Sequence, residues 1–260
     1  MRLIEMSPPQ VVEYFKHNDT VLFGTGSIEN HGVHNCLGID TLVPDHILGL
    51  IEKKSDVMIV PTLPYGAVDA MLGCPGTISL GQEVLYSVID KIVESLYLYG
   101  ARRIVFVNGH GGNINTLEQI GLKWRNKGLI SANISWWTLL PELRPDKPEW
   151  VSGHGGAVET SLAMAINPKY ADLSKIQEMN IKNDHGDELP SRGYRSVVYK
   201  GVTIAVNRQI PLVTDNGWFE SPIGADHPST SNAEMGNDIM QAVADYIVDF
   251  TEAFKRAKID

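Results

Sequence analysis

The sequence has 260 residues, of which 43% are hydrophobic and 20% are charged, and this composition is typical of a folded globular protein rather than a disordered chain. Acidic residues outnumber basic ones by 31 to 22, which argues against nucleic acids and anionic membranes as partners. The two cysteines, the start without a basic leader and the lack of a long apolar run predict a single cytoplasmic domain over residues 1–260 with no membrane span.

Helices and strands are predicted to alternate through the first two thirds of the chain. Compact apolar runs that end at glycine or proline predict buried strands, and apolar residues at helical spacing predict the helices between them. The predicted strands cover residues 20–24, 57–60, 103–107 and 130–137. The predicted helices begin after Ser7 and continue at 42–53, 82–99, 117–124 and 157–165. This alternation predicts an α/β fold, in which a mostly parallel central sheet has helices on both faces.

The last third of the chain has a weaker pattern. Residues 170–219 show no clear periodicity and are predicted to be rich in loops. Residues 234–255 are predicted to form a closing helix. We find no internal repeat and no linker, so the sequence predicts one domain.

Three clusters of polar residues fall at loops where a parallel sheet binds its ligands, just beyond the carboxyl ends of predicted strands. The first cluster follows the strand at 20–24, the second is the segment 108–113, and the third lies at a junction between a loop and a helix. Their titratable members are Glu29, His31, His34 and Asp40 in the first, His110 in the second, and His154 with Glu159 in the third.

The spacing of these residues suits a metal site. Glu29 and His31 are two residues apart, so in an extended segment both side chains point to one side, where a carboxylate and an imidazole can share a metal ion. Asp40 adds a carboxylate that can bridge two ions. Glu159 follows His154 by five residues, which places His154 on the loop and Glu159 in the first turns of the helix.

Other interpretations of these segments are weaker or stay open. The glycine-rich segment 108–113 could cradle a phosphate, but Ile114 stands where a dinucleotide-binding loop needs glycine, and no Walker lysine follows. Cys36 and Cys74 are more readily structural thiols than nucleophiles, because neither has a histidine beside it at a helix start. The pair Trp136 and Trp137 belongs either to the core or to the wall of a pocket.

Taken together, the motifs resemble those of the creatininase (creatinine amidohydrolase) family. The matching segments, in chain order, are ENHGVH at 29–34, Asp40, PGTIS at 75–79, NGHGGN at 108–113 and HGGAVET at 154–160. The resemblance implies a three-layer α/β/α sandwich, a centre of two divalent metal ions (zinc, manganese or iron) and frequent assembly into homo-hexamers.

The resemblance also implies a role for each matching residue. One ion would be bound by Glu29 and His110, the other by His31, and Asp40 would bridge them. Creatininase has a further carboxylate ligand at the position where this chain has Gly112. The expected replacement is Glu159, and the changed segment argues against creatinine as the substrate. His154 resembles the catalytic histidine near the substrate.

These inferences predict a hydrolase that attacks a small carbonyl compound with a metal-bound hydroxide. The expected substrate has a cyclic amide or another non-peptide C–N bond. His154 is expected to protonate the leaving atom as a general acid. Pocket walls are expected from Trp136, Trp137 and Tyr65.

Two alternatives remain. The first is a hydrolase that opens the ring of an inositol-derived polyhydroxy diketone, with a polar pocket from Asp184, His185, Asp187, Glu188 and Arg192. The second is a non-catalytic binding protein of the same fold, against which the intact carboxylates argue, because they would repel one another without a cation.

Overall fold

Four parallel strands form the centre of the fold. The computed structural model describes residues 1–219 and 226–259. The strands pair in the order β2-β1-β3-β4. Their bounds are β1 (Thr20–Thr25), β2 (Met58–Leu63), β3 (Arg103–Asn108) and β4 (Ile130–Ser135). The register of β1 and β3 runs without interruption from the pair Thr20 and Arg103 to the pair Thr25 and Asn108, so both strands end at the same edge of the sheet.

Helices cover both faces of this sheet. The α-helices of the described residues are α1 (Pro8–His17), α2 (Ile39–Glu52), α3 (Gly81–Tyr99), α4 (Ile114–Arg125), α5 (Trp136–Leu143), α6 (Ala157–Ile166) and α7 (Ala233–Phe254). One core lies between the sheet and α2, α5, α6 and α7, and a second lies between the sheet and α1, α3 and α4. The predicted α/β fold, a three-layer α/β/α sandwich with a mostly parallel sheet, is confirmed.

Alternation along the strands divides the two cores. In β1, Leu22 faces the first core, whereas Val21 and Phe23 face the second, because successive side chains of a strand point to opposite faces. All three are fully buried. A strand that is buried on both faces reads as a continuous apolar run, and this is why the short run at 20–24 predicted it.

The structure corrects several sequence-based elements, among them β2, which continues past Pro61 to Leu63, and α4, which begins at Ile114. The predicted strand 130–137 ends at Ser135, which pairs with the last residue of β3, and Trp136 begins α5. The helix predicted at 42–53 begins earlier, at Ile39. The region predicted to be rich in loops also contains an antiparallel hairpin of β5 (Ser196–Tyr199) and β6 (Val202–Ala205), and β6 is exposed along its whole length.

Two further predictions concern the whole chain. Within residues 1–219 and 226–259, no helix has the length and apolar character that a membrane crossing requires. Cys36 and Cys74 are free thiols.

Candidate metal centre

Five candidate metal ligands from four segments meet beyond the carboxyl ends of β1 and β3. Two come from the loop after β1, one from the first turn of α2, one from the loop after β3 and one from the first turn of α6. All are buried, with exposed fractions from 0% to 9%. In chain order they are Glu29, His31, Asp40, His110 and Glu159.

Hydrogen bonds at the end of β3 fix the loop that carries His110. The Thr25 hydroxyl donates to Oδ1 of Asn108 at 3.1 Å. The Asn108 amide in turn donates to the backbone carbonyl of His110 at 2.8 Å. Asn113 donates to the carbonyl of Gly26 at 3.0 Å and so joins the β3 loop to the β1 loop. Both asparagines of the NGHGGN segment therefore stabilise the loops around the site.

Asp40 lies in the first turn of α2, where two glycines pack closely against its backbone. Pro44 has no N–H, so the Asp40 carbonyl lacks the usual partner four residues ahead, and Gly26 and Gly109 pack close to it. A Cβ at Gly109 would overlap that carbonyl oxygen, and a Cβ at Gly26 would come within 2.5 Å of it. The Ser27 hydroxyl donates to Oδ2 of the Asp40 carboxylate at 2.7 Å.

The first group of candidate ligands is Glu29, Asp40 and His110. Nδ1 of His110 lies 3.0 Å from Oε2 of Glu29 and 3.0 Å from Oδ2 of Asp40. On the far side of the ring, Nε2 lies 3.1 Å from the backbone carbonyl of Ala67.

The second group is His31, Asp40 and Glu159. Nε2 of His31 lies 3.1 Å from Oδ1 of Asp40 and 3.6 Å from Oε2 of Glu159. Its Nδ1 lies 3.0 Å from the backbone carbonyl of Glu29. The two oxygens of Asp40 therefore face different histidines. A third combination, Glu29 with His31 and His154, also has its ligand atoms within 4.8 Å of one another.

The donor atoms fit a cation in each group. A carbonyl oxygen can only accept, so Nδ1 of His31 and Nε2 of His110 carry the hydrogen when each ring is neutral. The opposite nitrogen of each ring then points a lone pair at two carboxylate oxygens. That arrangement is repulsive unless a proton or a metal ion lies between them, and neutral imidazole with carboxylate is a common ligand set for transition metals.

The negative charge of the carboxylates raises the pKa of both candidate histidine ligands. Burial lowers the pKa of His31, but the carboxylates of Asp40 and Glu159 outweigh burial and raise it to about 10. The pKa of His110 is likewise raised by Glu29 and Asp40 against the effect of burial. Burial raises the pKa of Glu159 to about 7, although His31 opposes the shift. The pocket therefore stabilises positive charge beside Asp40.

His154 lies beside the two groups on the loop before α6, as predicted. Its Nε2 lies 2.7 Å from the backbone carbonyl of Asn30, and its ring packs on that of His31 with centroids 4.3 Å apart. Burial, followed by the charge of His31, lowers the pKa of His154 to about 4. The ring is therefore neutral at pH 7, with its hydrogen on Nε2.

The peptide that joins His154 to Gly155 links this histidine to a candidate ligand. Its N–H donates to Oε2 of Glu159 at 2.7 Å, and its carbonyl accepts from the N–H of Phe219 at 2.9 Å. The next carbonyl, that of Gly155, accepts from Nε2 of His34 at 2.9 Å. Gly155 has φ +66°, a conformation that favours glycine.

The surroundings of Gly112 explain why this chain has glycine at the position where the family pattern has a carboxylate ligand. A Cβ at Gly112 would overlap the carbonyl oxygen of Ala67 and would come within 2.5 Å of Nε2 of His110. A longer side chain has no room there without a shift of the loop. Glu159, the expected replacement, reaches to 3.6 Å from Nε2 of His31 out of another element, α6.

The three aromatic residues predicted as pocket walls have different surroundings. Trp136 is 1% exposed and belongs to the first core, and Trp137 packs against that core. Tyr65 is 41% exposed and lies two residues before Ala67. Of the polar residues considered for an alternative pocket, Asp184 is committed to an ion pair with Arg208.

Several groups that shape the site were not found from the sequence. The backbone carbonyls of Asn30 and Ala67 leave no sequence signal, because every residue has one. Ser27 could have been noticed, since a hydroxyl lies directly after β1 in the first polar loop. Phe219 and Tyr194, which stack beside His154, come from the segment with no periodicity.

Comparison with known sequences identifies relatives along most of the chain. The sequence profile of the Creatininase family, described as creatinine amidohydrolase, matches residues 4–251. Creatinine amidohydrolase of Pseudomonas putida is 29% identical over 175 residues, 60% of this chain and 67% of that protein. The mycofactocin precursor peptide peptidase of Mycolicibacterium smegmatis is 32% identical over 154 residues, 57% of this chain and 58% of that protein.

A third relative has a different named substrate. The 3-dehydro-scyllo-inosose hydrolase of Thermotoga maritima is 23% identical over 174 residues, which are 64% of this chain and 56% of that protein. The matched part of the chain thus covers between 56% and 67% of the length of these curated relatives.

Solved structures share the fold. A structure named "Creatininase Mn" superimposes with a TM-score of 0.71 at 24% identity, over 97% of this chain and 98% of that chain. A mutant creatininase of the Zn-Zn type gives the same TM-score at 23% identity and the same coverage. Because the family profile matches residues 4–251, the chain belongs to the creatininase (creatinine amidohydrolase) family.

Proposed function

We propose that this chain holds two divalent metal ions and hydrolyses a C–N bond in a small cyclic amide or a related non-peptide carbonyl compound. The observation that carries the proposal is the carboxylate of Asp40, whose two oxygens face His31 and His110 at 3.1 and 3.0 Å. A carboxylate in that position can bridge two ions, each with its own histidine.

The side chains divide between the two ions as the distances suggest. Glu29 and His110 would hold one ion, His31 and Glu159 would hold the other, and Asp40 would be shared. Such ions supply Lewis acidity and a nucleophile that is active at neutral pH. The donor set of imidazole and carboxylate is compatible with zinc, manganese or iron.

His154 is the proposed group for proton transfer. Because Nε2 donates to the carbonyl of Asn30, Nδ1 has the lone pair that can exchange a proton. The pKa of the ring, lowered to about 4, makes it neutral at pH 7. It therefore has to take a proton before it can give one to the leaving nitrogen, as a general base that becomes a general acid.

The first experiment measures metal content by elemental mass spectrometry on untagged protein purified without a chelator. We expect about two divalent ions per chain, as in other two-metal hydrolases. Protein with no bound metal that also takes up none from zinc, manganese or iron salts would overturn the proposal and favour a non-catalytic binding protein.

Substrate class is tested on a small panel with the metal-loaded protein. The panel contains creatinine and hydantoin as cyclic amides, formanilide as a formamide, a short peptide, and cyclohexane-1,3-dione as a cyclic diketone. We expect turnover of hydantoin or formanilide, and little turnover of creatinine. His154→Ala should keep both ions and lose about 10²–10⁴-fold in turnover, the usual range for general acid–base catalysis.

A ring-opening hydrolase of a cyclic polyhydroxy diketone is the second candidate. The named activity of the Thermotoga maritima relative favours it. The polar segment expected to serve such a substrate offers limited support, since Asp184 pairs with Arg208 while Asp187 and Glu188 are exposed. Turnover of the diketone without turnover of any amide would select this candidate.

The family relationship supports a proposal for the assembly of the protein, and its composition supports one for its location. We propose a small-molecule substrate, a cytoplasmic location and a homo-oligomer, with a hexamer as the expected assembly. Sedimentation velocity on the purified protein measures the assembly directly.

A further inference from the structure

Four aromatic rings form a continuous stack that begins at a candidate metal ligand and ends in the segment between α6 and α7. Ring centroids are 4.3 Å apart between His31 and His154, 4.8 Å between His154 and Phe219, and 4.1 Å between Phe219 and Tyr194. The planes of His154 and Phe219 are within 18° of parallel, and the planes of the other two pairs are tilted by 31°. The proposed proton-transfer ring is thus an inner member of this stack.

Phe219 is joined to His154 through the backbone as well as through its ring. The N–H of His154 donates to the carbonyl of Phe219 at 3.1 Å, and the N–H of Phe219 donates to the carbonyl of His154 at 2.9 Å. This is an antiparallel bridge. Phe219 is 9% exposed, so it offers little surface to a substrate and most of its contact is with the protein.

Tyr194 is held from two sides at the outer end of the stack. Nε of Arg208 donates to the Tyr194 carbonyl at 2.9 Å, and the Arg208 guanidinium is itself buried in an ion pair with Asp184. Tyr194 also packs against a small apolar cluster from the loop after β2 and the segment near residue 210. That cluster consists of Val68, Met71, Cys74 and Ile210.

We infer that Tyr194 and Phe219 are positioning residues, which hold the imidazole plane of His154 in the orientation that proton transfer needs. Among residues 1–219 and 226–259, the His154 ring has one hydrogen bond, from Nε2 to Asn30, and that bond alone would leave its plane free to rock about the contact. Ring stacking against Phe219 restricts that motion, and Tyr194 prevents Phe219 from turning away. The inference rests on the proton-transfer role proposed for His154.

The orientation of the ring can be measured without a substrate. In zinc-loaded protein with ¹³C-labelled histidine, the Cε1–H signal of His154, identified by its absence in His154→Ala, reports the ring currents of its neighbours. Tyr194→Leu should move and broaden this signal, whereas Tyr194→Phe, which keeps a ring, should restore it. An unchanged signal in Tyr194→Leu would overturn the inference.

Kinetics on the panel compound with the highest turnover supply the second test. Tyr194→Leu should lower kcat about 10-fold with little change in KM, within the ~100-fold that a displacement of about 1 Å can cost. In a His154→Ala background the same substitution should have no further effect, because it acts through that ring. An equal loss of kcat in both backgrounds would overturn the inference.

Phe250→Leu is the matched control. Phe250 and Phe254 form another stacked pair in α7, with centroids 5.4 Å apart and planes within 20°. Metal content and the His154 signal should be the same in this variant as in the parent protein. If His154→Ala keeps full turnover, the proposed proton-transfer role fails. If His154→Ala is slow but Tyr194→Leu is not, only the positioning role fails.

Discussion

The two groups of candidate ligands share Asp40 but are built differently. In the first group, Glu29 and Asp40 both lie 3.0 Å from Nδ1 of His110, and all three residues come from segments tied to the paired ends of β1 and β3. In the second group, Glu159 comes from α6 and stays 3.6 Å from Nε2 of His31. The first group is preorganised, whereas the second needs a carboxylate to close in on its ion.

Electrostatics adds to this difference. Burial raises the pKa of Glu159 to about 7, so near neutral pH an ion in the second group must compete with a proton for this carboxylate. Two metal sites that share a bridging carboxylate can therefore differ in their affinity for an ion. We expect the first group to bind its ion more tightly than the second.

The largest effect is expected from removal of the shared ligand. In Asp40→Asn, one bridging oxygen becomes an amide N–H donor, so both ions should be lost. Turnover should fall at least about 1,000-fold, since a catalytic ion supplies several kcal/mol of transition-state stabilisation. Elemental analysis and kinetics check both expectations.

Asp45→Asn is the matched control for that variant. Asp45 lies on the same helix but pairs with Arg2 at 3.0 Å, away from the five candidate ligands. It should keep both ions. Retention of two ions in Asp40→Asn would remove the bridge from the proposed site.

The next effect separates the two groups. Glu159→Gln should lose the second ion and keep the first, whereas Glu29→Gln should weaken the first ion. Removal of a group that only hydrogen-bonds to a metal ligand typically lowers metal affinity about 10- to 100-fold. Removal of a ligand itself should cost more, so we expect a loss of about 100-fold or more. Isothermal titration of metal-free protein with zinc resolves the two events, and equal weakening of both in Glu159→Gln would contradict the division.

A smaller effect is expected behind the bridge. Ser27→Ala removes the hydroxyl that donates to Oδ2 of Asp40 at 2.7 Å, the oxygen that faces His110. Affinity for the first ion should fall about 10- to 100-fold, with less change at the second. Ser87→Ala, which affects only an exposed bond to the carbonyl of Glu83 in α3, should change neither.

The glycines after His110 offer a matched pair. A Cβ at Gly112 would overlap Ala67 and approach His110, whereas a Cβ at Gly111 has no atom within 4 Å. Gly112→Ala should therefore lower the free energy of unfolding by about 1–3 kcal/mol, the usual cost of overpacking, and weaken the first ion. Gly111→Ala should do neither, and chemical denaturation compares the two.

The smallest effect concerns protons. The pKa of His31 is raised to about 10 without a metal, so the ring carries a proton at pH 7 and must lose it to bind an ion through Nε2. Zinc uptake at pH 7 should release about one proton per chain from this ring and a further share from His110 and Glu159, whose pKa values are raised as well, and affinity should rise with pH. Titration calorimetry in buffers of different ionisation enthalpy measures the total release. A release of no protons would mean that His31 and the other ligands are already deprotonated before the ion binds.

The sequence was most informative where side-chain chemistry and chain period agree. Buried parallel strands are apolar runs, so β1 to β4 could be located, and the polar loops after β1 and β3 had to meet because parallel strands end at one edge. The change from strand to helix at Trp136 was missed, since an apolar aromatic pair suits either structure. The register of β4 against β3, which ends at Ser135, is a property of the sheet and not of the local sequence.

The candidate site was predictable in its side chains but not in its supports. Glu159 could be proposed because Gly112 left a ligand missing from a known pattern. The stack of Phe219 and Tyr194 could not, because it depends on how a segment without periodicity folds back onto the loop of His154. Such long-range contacts are set by tertiary packing, and the spacing of residues along the sequence does not predict them.

The peptide between His154 and Gly155 joins functions that are usually described separately. A peptide unit is a rigid plane, and this one has its N–H on Glu159 and its carbonyl on Phe219. A shift of Glu159 toward an ion would pull on the N–H of this plane, and the adjoining imidazole of His154 would be displaced with it. Loss of the second ion should thus also misalign the proton donor. A chain that lacks the second ion would then lack both a complete metal centre and an aligned proton donor, and we expect it to be inactive rather than slow.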